Sequence, residues 1–331
     1  MSRAPALELT ACPVCGGTHS EELADANAVR AEVESLWQFH TSRLQPGTPP
    51  EHLTDRVAFS QRPPVRVVQC RGCGLVYRNP RERAHELAQT YEGETPADDV
   101  LATLFETQLG SYRAQARRLA RVLGRRGSGI EVGSYVGGFL AAARELRLDI
   151  EGLDVNEAAS AFARKKGFRV MVGDLESWSE TRPVDMVAIW NCFDQLPDPR
   201  SAAIVAHRVL VPGGILAIRV PNGGFYAALR ARLSGPTAPL ATAMLAHNNL
   251  LSFPYRHGFT VGALRRLLEK VGFEIDSTYG DTLVPIADEW TRRWGAVEER
   301  LVKGVLKAVA TVGGAERAPW FEMYARKGKG G

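Results

Sequence analysis

Four of the five cysteines in this 331-residue chain stand as two CxxC pairs, Cys12 and Cys15 in CPVCGG and Cys70 and Cys73 in CRGCG. Two thiols at this spacing followed by glycine is the pattern of a zinc knuckle. A tight turn aims both thiolates at one ion, and the glycine takes a backbone angle that a side chain resists. Four thiolates complete a tetrahedral ion and leave no position open, so a zinc here holds the fold and does no chemistry. Disulfides and a redox CxxC are the alternatives. The start, MSRAPALELTACPVCGG, has no secretory apolar core, which points to a cytoplasmic chain and away from disulfides. Duplication of CxxC-Gly argues against a redox motif. Cys192 stands alone and reads as a small buried apolar residue.

A second chemistry lies in a series of glycines and acids. Glu131-Val132-Gly133-Ser134-Tyr135-Val136-Gly137-Gly138 ends one apolar run and leads into a helical one. Asp154 follows Gly133 at the distance of a carboxylate that hydrogen-bonds ribose hydroxyls, and Asp174 in VGDL is placed for an adenine amino group. Two cofactor classes compete. A dinucleotide needs a second glycine where this chain has Tyr135, so that the pyrophosphate can reach the backbone. S-adenosylmethionine carries no phosphate and makes no such demand. Asp154 and Asp174 also have a plain reading as helix N-caps or turn acids.

Candidates for proton transfer sit further on. The segment 223–258 holds Phe225, Tyr226, His247, Asn248, Asn249, Phe253, Tyr255 and His257, a mixture suited to covering a polar ring. His257 is the first candidate base, Asp194 the second and His247 the third. Each histidine also has the plain reading of satisfying hydrogen bonds within its loop.

These residues need a frame. A helix is expected over 101–126, followed by strands in SGIEVGS, DIEGLDV, RVMVGD, VDMVAIWN and GILAIRVPN with helices between them, the last strand after a VPGG turn. A helix in VGALRRLLEKVG and strands in FEIDSTYG and PWFEMYARK complete the series. Alternation of this kind predicts a doubly wound parallel α/β sheet with helices on both faces, which binds ligands where strand order reverses. The expected division is residues 1–95 as a zinc-ribbon module and 96–331 as the α/β domain. In the module, Val29, Val33, Leu36, Trp37 and Leu44 mark a helical insertion, the second CxxC lies between two strand-like runs, and 80–97 reads as a short helix and linker. The α/β domain carries the 223–258 lid and a helical insertion at 281–318. That insertion either packs across the site mouth or forms a dimer surface.

Composition bounds the partners. At 45% hydrophobic and 24% charged residues the chain is globular rather than disordered. The net charge of +4 is too small to indicate nucleic acid or an anionic membrane, and no apolar run approaches the ~20 residues of a membrane span.

The ordered series resembles the class I S-adenosylmethionine-dependent methyltransferases, particularly their type 11/12 families. The motifs are Glu131 to Gly137, Asp154, Gly173-Asp174, Asp194 to Pro199 and Val211 to Gly214. The resemblance covers about residues 97–331, and CPVCG…CGLVYRNP resembles the zinc-binding segment of some bacterial members, including sugar C-methyltransferases. It implies a Rossmann-like, doubly wound seven-stranded sheet with the last strand antiparallel. It also implies cofactor-binding roles for Glu131, Gly133, Ser134, Tyr135 and Gly137 around the methionine end. Asp154 with Val155 would meet the ribose, Asp174 with Leu175 the adenine, and Asn191 the region of the sulfonium methyl.

Two positions depart from the family. Tyr135 replaces the usual middle glycine, and the family's Glu-His appears as Asp194-Gln195, which puts a second, divalent metal and a histidine base there in doubt. The reading is methyl transfer to a small-molecule acceptor such as a sugar, a phenol or a secondary-metabolite intermediate, with a homodimer among the options. The alternatives are an RNA methyltransferase, disfavoured by the acids Glu21, Glu22, Asp25, Glu32 and Glu34 in the module, a scaffold that has lost its cofactor, and a nicotinamide oxidoreductase.

Overall fold

The computed structural model describes residues 7–49, 65–83, 97–178, 182–286 and 288–328. In chain order the first five strands are β1 (Leu7–Glu8), β2 (Ser20–Ala24), β3 (Val67–Cys70), β4 (Val76–Arg78) and β5 (Arg81–Glu82). Then come β6 (Ser128–Val132), β7 (Asp149–Asp154), β8 (Val170–Val172), β9 (Val184–Trp190) and β10 (Leu210–Pro221). The last are β11 (His257–Gly258), β12 (Phe273–Asp281) and β13 (Trp320–Lys327). The helices are α1 (Ala26–Thr41), α2 (Asp98–Leu123), α3 (Gly138–Glu145), α4 (Glu157–Lys165) and α5 (Leu175–Trp178). They continue as α6 (Pro199–Val209), α7 (Gly223–Arg230), α8 (Ala238–Ala246), α9 (Val261–Val271) and α10 (Arg293–Gly313).

By packing, the chain forms two compact units. One comprises Met1–Glu86, Val220–Leu264 and Tyr279–Phe321; the other comprises Leu87–Arg219, Arg265–Thr278 and Glu322–Gly331. The expected lid and helical insertion therefore belong to the same compact unit as the cysteine module, although the chain-order boundary at 95/96 counts them with the sheet.

The seven-stranded sheet runs β12-β13-β10-β9-β6-β7-β8. β6 pairs in parallel with β7 and β9, β7 with β8, and β9 with β10. The last strand, inserted between β10 and β12, is antiparallel, as expected. The central strands are mostly apolar because both faces are covered: Ile130, Val187, Ala188, Ile189, Leu216 and Ile218 are wholly buried. Strand order reverses between β6 and its neighbours β7 and β9, which puts the ligand crevice of such sheets at the C-terminal ends of these strands. Helix α2 stops three residues short of the expected end, because Gly124 takes a left-handed φ of 70° and its N–H bonds Ala120 O. The VPGG turn is absorbed into β10 as a register break between Leu210 and Ile215.

In the other unit, the two runs flanking the second CxxC form β3 and β4 of an antiparallel sheet ordered β11-β4-β3-β2. Asp25 caps α1 by accepting from Ala28 N at 2.7 Å. Its buried face is Val29, Glu32, Leu36 and His40. Leu44 falls beyond the helix and bridges to Thr291 instead. Glu32, one of the module acids counted against RNA binding, is buried: its carboxylate accepts from Ser252 N (3.0 Å), Tyr226 Oη (3.2 Å) and Arg230 Nε (2.9 Å). The expected helix after Pro80 is contradicted at its start, where Arg81–Glu82 pair with Leu7–Glu8 as strands; residues 84–96 lie outside the described residues. Among the described residues no helix is long and apolar enough to cross a membrane.

Candidate active site and metal centre

Two local turns build the cysteine cluster, and they repeat each other bond for bond. Gly16 N donates to Cys12 O and Gly74 N to Cys70 O, both at 2.8 Å. Cys12 N donates to Gly17 O (2.9 Å) and Cys70 N to Leu75 O (2.8 Å). Gly16 and Gly74 sit at φ 75° and 76°, which explains the glycine after each pair. The four Sγ atoms lie within 4.8 Å of one another, with Cys12 to Cys73 and Cys15 to Cys70 at 3.5 Å. These separations exceed a disulfide bond and approach the roughly 3.8 Å edge of a tetrahedron with Zn–S bonds of about 2.3 Å. The hydrogen bond shared with Cys73, together with burial, pushes the Cys12 thiol well up. The donor set and spacing fit one soft tetrahedral ion.

The second cluster lies at the strand tips of the seven-stranded sheet. Glu131 is buried near the end of β6, and its Oε2 has no hydrogen-bond partner among the described residues. Burial, reinforced by the charge of Asp154, holds its carboxyl well above the usual range. Asp154 closes β7 and ties two segments together. Its Oδ2 accepts from Tyr135 N and its Oδ1 from Asn156 N, each at 2.8 Å. Burial raises its carboxyl, while those two N–H groups oppose the rise.

The glycine-rich loop turns between these acids. Gly133 has φ 74°, and a Cβ there would meet Cys192 Sγ at 2.6 Å, so both conformation and space require glycine. Ser134 is buried with its Oγ unpartnered among the described residues, and its carbonyl accepts from Gly137 N, the cap of α3. Tyr135 adopts φ 44°, and its side chain packs against the cluster of Leu101, Phe105, Val136 and Leu140. At the tip of β8, Asp174 is exposed, and its Oδ1 accepts from Ser177 N (3.0 Å) and Ser177 Oγ (2.8 Å), which realises the N-cap reading. Val155, Val172, Gly173, Asp174 and Ser177 line a shallow depression, with the two valines unusually exposed for apolar side chains. Leu175, the next residue, is buried.

After β9 the chain turns through Asn191, at φ 61°. Its side chain is held at both ends: Asn191 Nδ2 donates to Tyr112 Oη (3.0 Å), and Arg219 Nη1 donates to Asn191 Oδ1. Gln195 Nε2 donates to Asn191 O at 2.9 Å, so the residue standing where the family has histidine fastens this turn. Cys192 is partly buried rather than fully so, and its thiol donates to Val132 O at 3.3 Å. Asp194 is completely buried, and its carboxylate has no hydrogen-bond partner from another described residue, only its own backbone N–H. Burial holds it well above the usual carboxylate range.

Tyr112 and Arg219 were not among the residues singled out from the sequence. A detectable signal existed for Arg219, a charge inside the apolar strand ILAIRV. No sequence signal marks Tyr112, whose partner is 79 residues away.

The two candidate histidines belong to the cysteine-containing unit, whereas Asp194 belongs to the sheet unit. Segment 223–258 is not an open loop, since it folds into α7, α8 and β11. His257 is completely buried in β11, opposite Tyr77 of β4. Its Nε2 lies 3.3 Å from Arg81 Nη1; a guanidinium only donates, so Nε2 accepts there. His247 is buried at the C-terminus of α8, with its ring edge-on to Phe39 and its Nε2 3.7 Å from Glu298. Burial lowers its pKa to about 4.

A family profile described as a methyltransferase domain matches residues 105–278. Solved structures similar to the chain include a methyltransferase from Thermotoga maritima described as a possible histamine N-methyltransferase, at 18% identity and TM-score 0.42 over 67% of this chain and 92% of that one. The plantazolicin methyltransferase BpumL, in complex with SAH, matches at 13% identity and TM-score 0.45 over 73% and 94%. The cyclopropane synthase MmaA2 of Mycobacterium tuberculosis matches at 17% identity and TM-score 0.44 over 65% and 84%. No curated protein matches the chain at a significant level. With the domain profile spanning more than half of the chain over this sheet, the chain belongs to the methyltransferase-domain family and is an S-adenosylmethionine-dependent methyltransferase of class I.

Proposed function

We propose that the protein transfers a methyl group to a small-molecule acceptor such as a sugar, a phenol or a secondary-metabolite intermediate. The observation that carries the cofactor assignment is the row of acids at the tips of three adjacent strands, Glu131 on β6, Asp154 on β7 and Asp174 after β8. S-adenosylmethionine, when bound, supplies a methyl carbon on a positively charged sulfur. Asp154, its oxygens oriented by Tyr135 N and Asn156 N, keeps spare acceptor capacity for ribose hydroxyls. The depression beside Asp174, floored by Val155 and Val172, suits an apolar purine face with a hydrogen-bonding edge. Glu131, Gly133, Ser134 and Gly137 hold the methionine end, and Tyr135 contributes its backbone there while its ring serves the core.

Asn191 acts as a fixed wall beside the reacting centre, since Tyr112 and Arg219 occupy its amide. Rigid placement of this kind serves catalysis by alignment, worth ~7–11 kcal/mol in favourable cases. For proton transfer we favour Asp194, buried and with no partner from another described residue, over either histidine; His257 Nε2 is engaged by Arg81. In the other unit, Cys12, Cys15, Cys70 and Cys73 hold one structural zinc.

Calorimetry with S-adenosylmethionine, S-adenosylhomocysteine and NADH tests the cofactor assignment. The two adenosyl-sulfur compounds are expected to bind at micromolar concentrations and the dinucleotide not at all; tighter binding of NADH refutes the assignment.

A further inference from the structure

Helix α10 has two apolar faces, whereas a helix on the surface of a globular protein needs one. Ala296, Leu306 and Ala310, together with the Glu299–Lys303 ion pair, form its buried face. A second stripe, of Trp294, Val297, Leu301, Val305, Val309 and Val312, is exposed, from 42% at Val309 to 90% at Val312. At 100° per residue these six fall within an arc of about 120°, which also holds exposed Ala308 and half-buried Glu298, the latter held by Arg43. Six exposed apolar side chains on one arc are more than the scattered apolar exposure of an ordinary surface and mark an interaction face.

The spacing of the stripe identifies its occupant. Residues 294 and 312, 297 and 309, and 301 and 305 lie at equal distances on either side of residue 303. A two-fold axis through position 303 would therefore set Trp294 against the partner's Val312, Val297 against the partner's Val309 and Leu301 against the partner's Val305. This self-complementarity is what an isologous contact requires. Gly304, whose absent Cβ would meet open space, and Ala308 let the helix axes approach at the crossing. Antiparallel pairing also lays the Arg293 end of one helix beside the carbonyl end of the other, the favourable sense for a helix dipole.

We propose that the protein is a homodimer through an antiparallel α10–α10 contact centred on residue 303. Sedimentation of the full, metal-loaded chain at micromolar concentration is expected to give twice the chain mass, and Leu301→Glu to halve it with helical content and metal content unchanged. The double variant Trp294→Cys/Val312→Cys is expected to form covalent dimers under mild oxidation while neither single variant does. Within one helix these positions are about 27 Å apart, so the bond can form only between copies. A monomeric wild type, a Leu301→Glu chain that remains dimeric, or a double variant that cross-links no better than the singles overturns the proposal.

Discussion

The cysteine cluster and the strand-tip cluster both crowd groups that repel one another when ionised, and they are built by opposite means. The cysteines come from two short turns, each closed by hydrogen bonds between residues no more than five apart. The acids come from separate strands, and their positions depend on a whole sheet being formed. Their polar atoms also end differently. In the knuckles the thiols pair across the two turns and Cys70 Sγ accepts from Gly72 N at 3.3 Å. At the strand tips, Glu131 Oε2 and both oxygens of Asp194 are left without partners from other described residues. A buried carboxylate without a partner costs stability. The first cluster is set by two local turns, and the second by the packing of a whole sheet.

The largest effect that would break this contrast is at the knuckles. Cys70→Ser is expected to abolish the proposed zinc, about one per chain by elemental analysis, and to lower the melting temperature sharply or cause aggregation, because a structural metal contributes folding free energy. A stable, metal-free variant would remove the structural role. Next, Asp154→Ala is expected to weaken S-adenosylmethionine by about 10- to 100-fold, the value of one or two hydrogen bonds to a charged group. Calorimetry showing unchanged affinity would end the ribose assignment. Gly133→Ala comes third, with an expected loss of roughly 1–3 kcal/mol in denaturant titration, since the methyl meets Cys192 Sγ and the backbone angle is left-handed. Cys192→Ala in the same chain should recover the steric part and leave the conformational part. Full recovery would show that space alone demands the glycine.

The smallest effect concerns protons. His247 titrates near 4 when folded against an ordinary value of 6.5, so the unfolded chain binds the extra proton between those pH values. Its contribution is fully present above pH 6.5 and fades as pH falls toward 4. His247→Phe should flatten that part of the melting-temperature profile. An unchanged slope would move the acid sensitivity to another group.

Much of this was legible beforehand because it is local. Each CxxC-Gly announces a turn whose glycine conformation and thiol direction are set within six residues. The Gly133 loop and the acids Asp154 and Asp174 sit at boundaries between runs of apolar residues, which mark strand ends. What sequence periodicity missed depends on distant packing. Glu32 looks like one module acid among several, and only Arg230, Tyr226 and Ser252, some 200 residues away, bring it inside. His257 looks like a loop histidine until β4 supplies a strand for it to pair with.

The amino-acid sequence by itself determined the order of strands and helices, the two cysteine turns and the acids at the strand ends, because short-range geometry and hydrophobic alternation encode each of them. Tertiary structure alone decided that Arg219 and Tyr112 clamp Asn191, that Asp194 is buried without a partner from another described residue, and that one face of α10 is left bare while the other is covered. Burial and hydrogen-bond partnership are properties of neighbours in space, and the folded sheet chooses those neighbours from far along the chain.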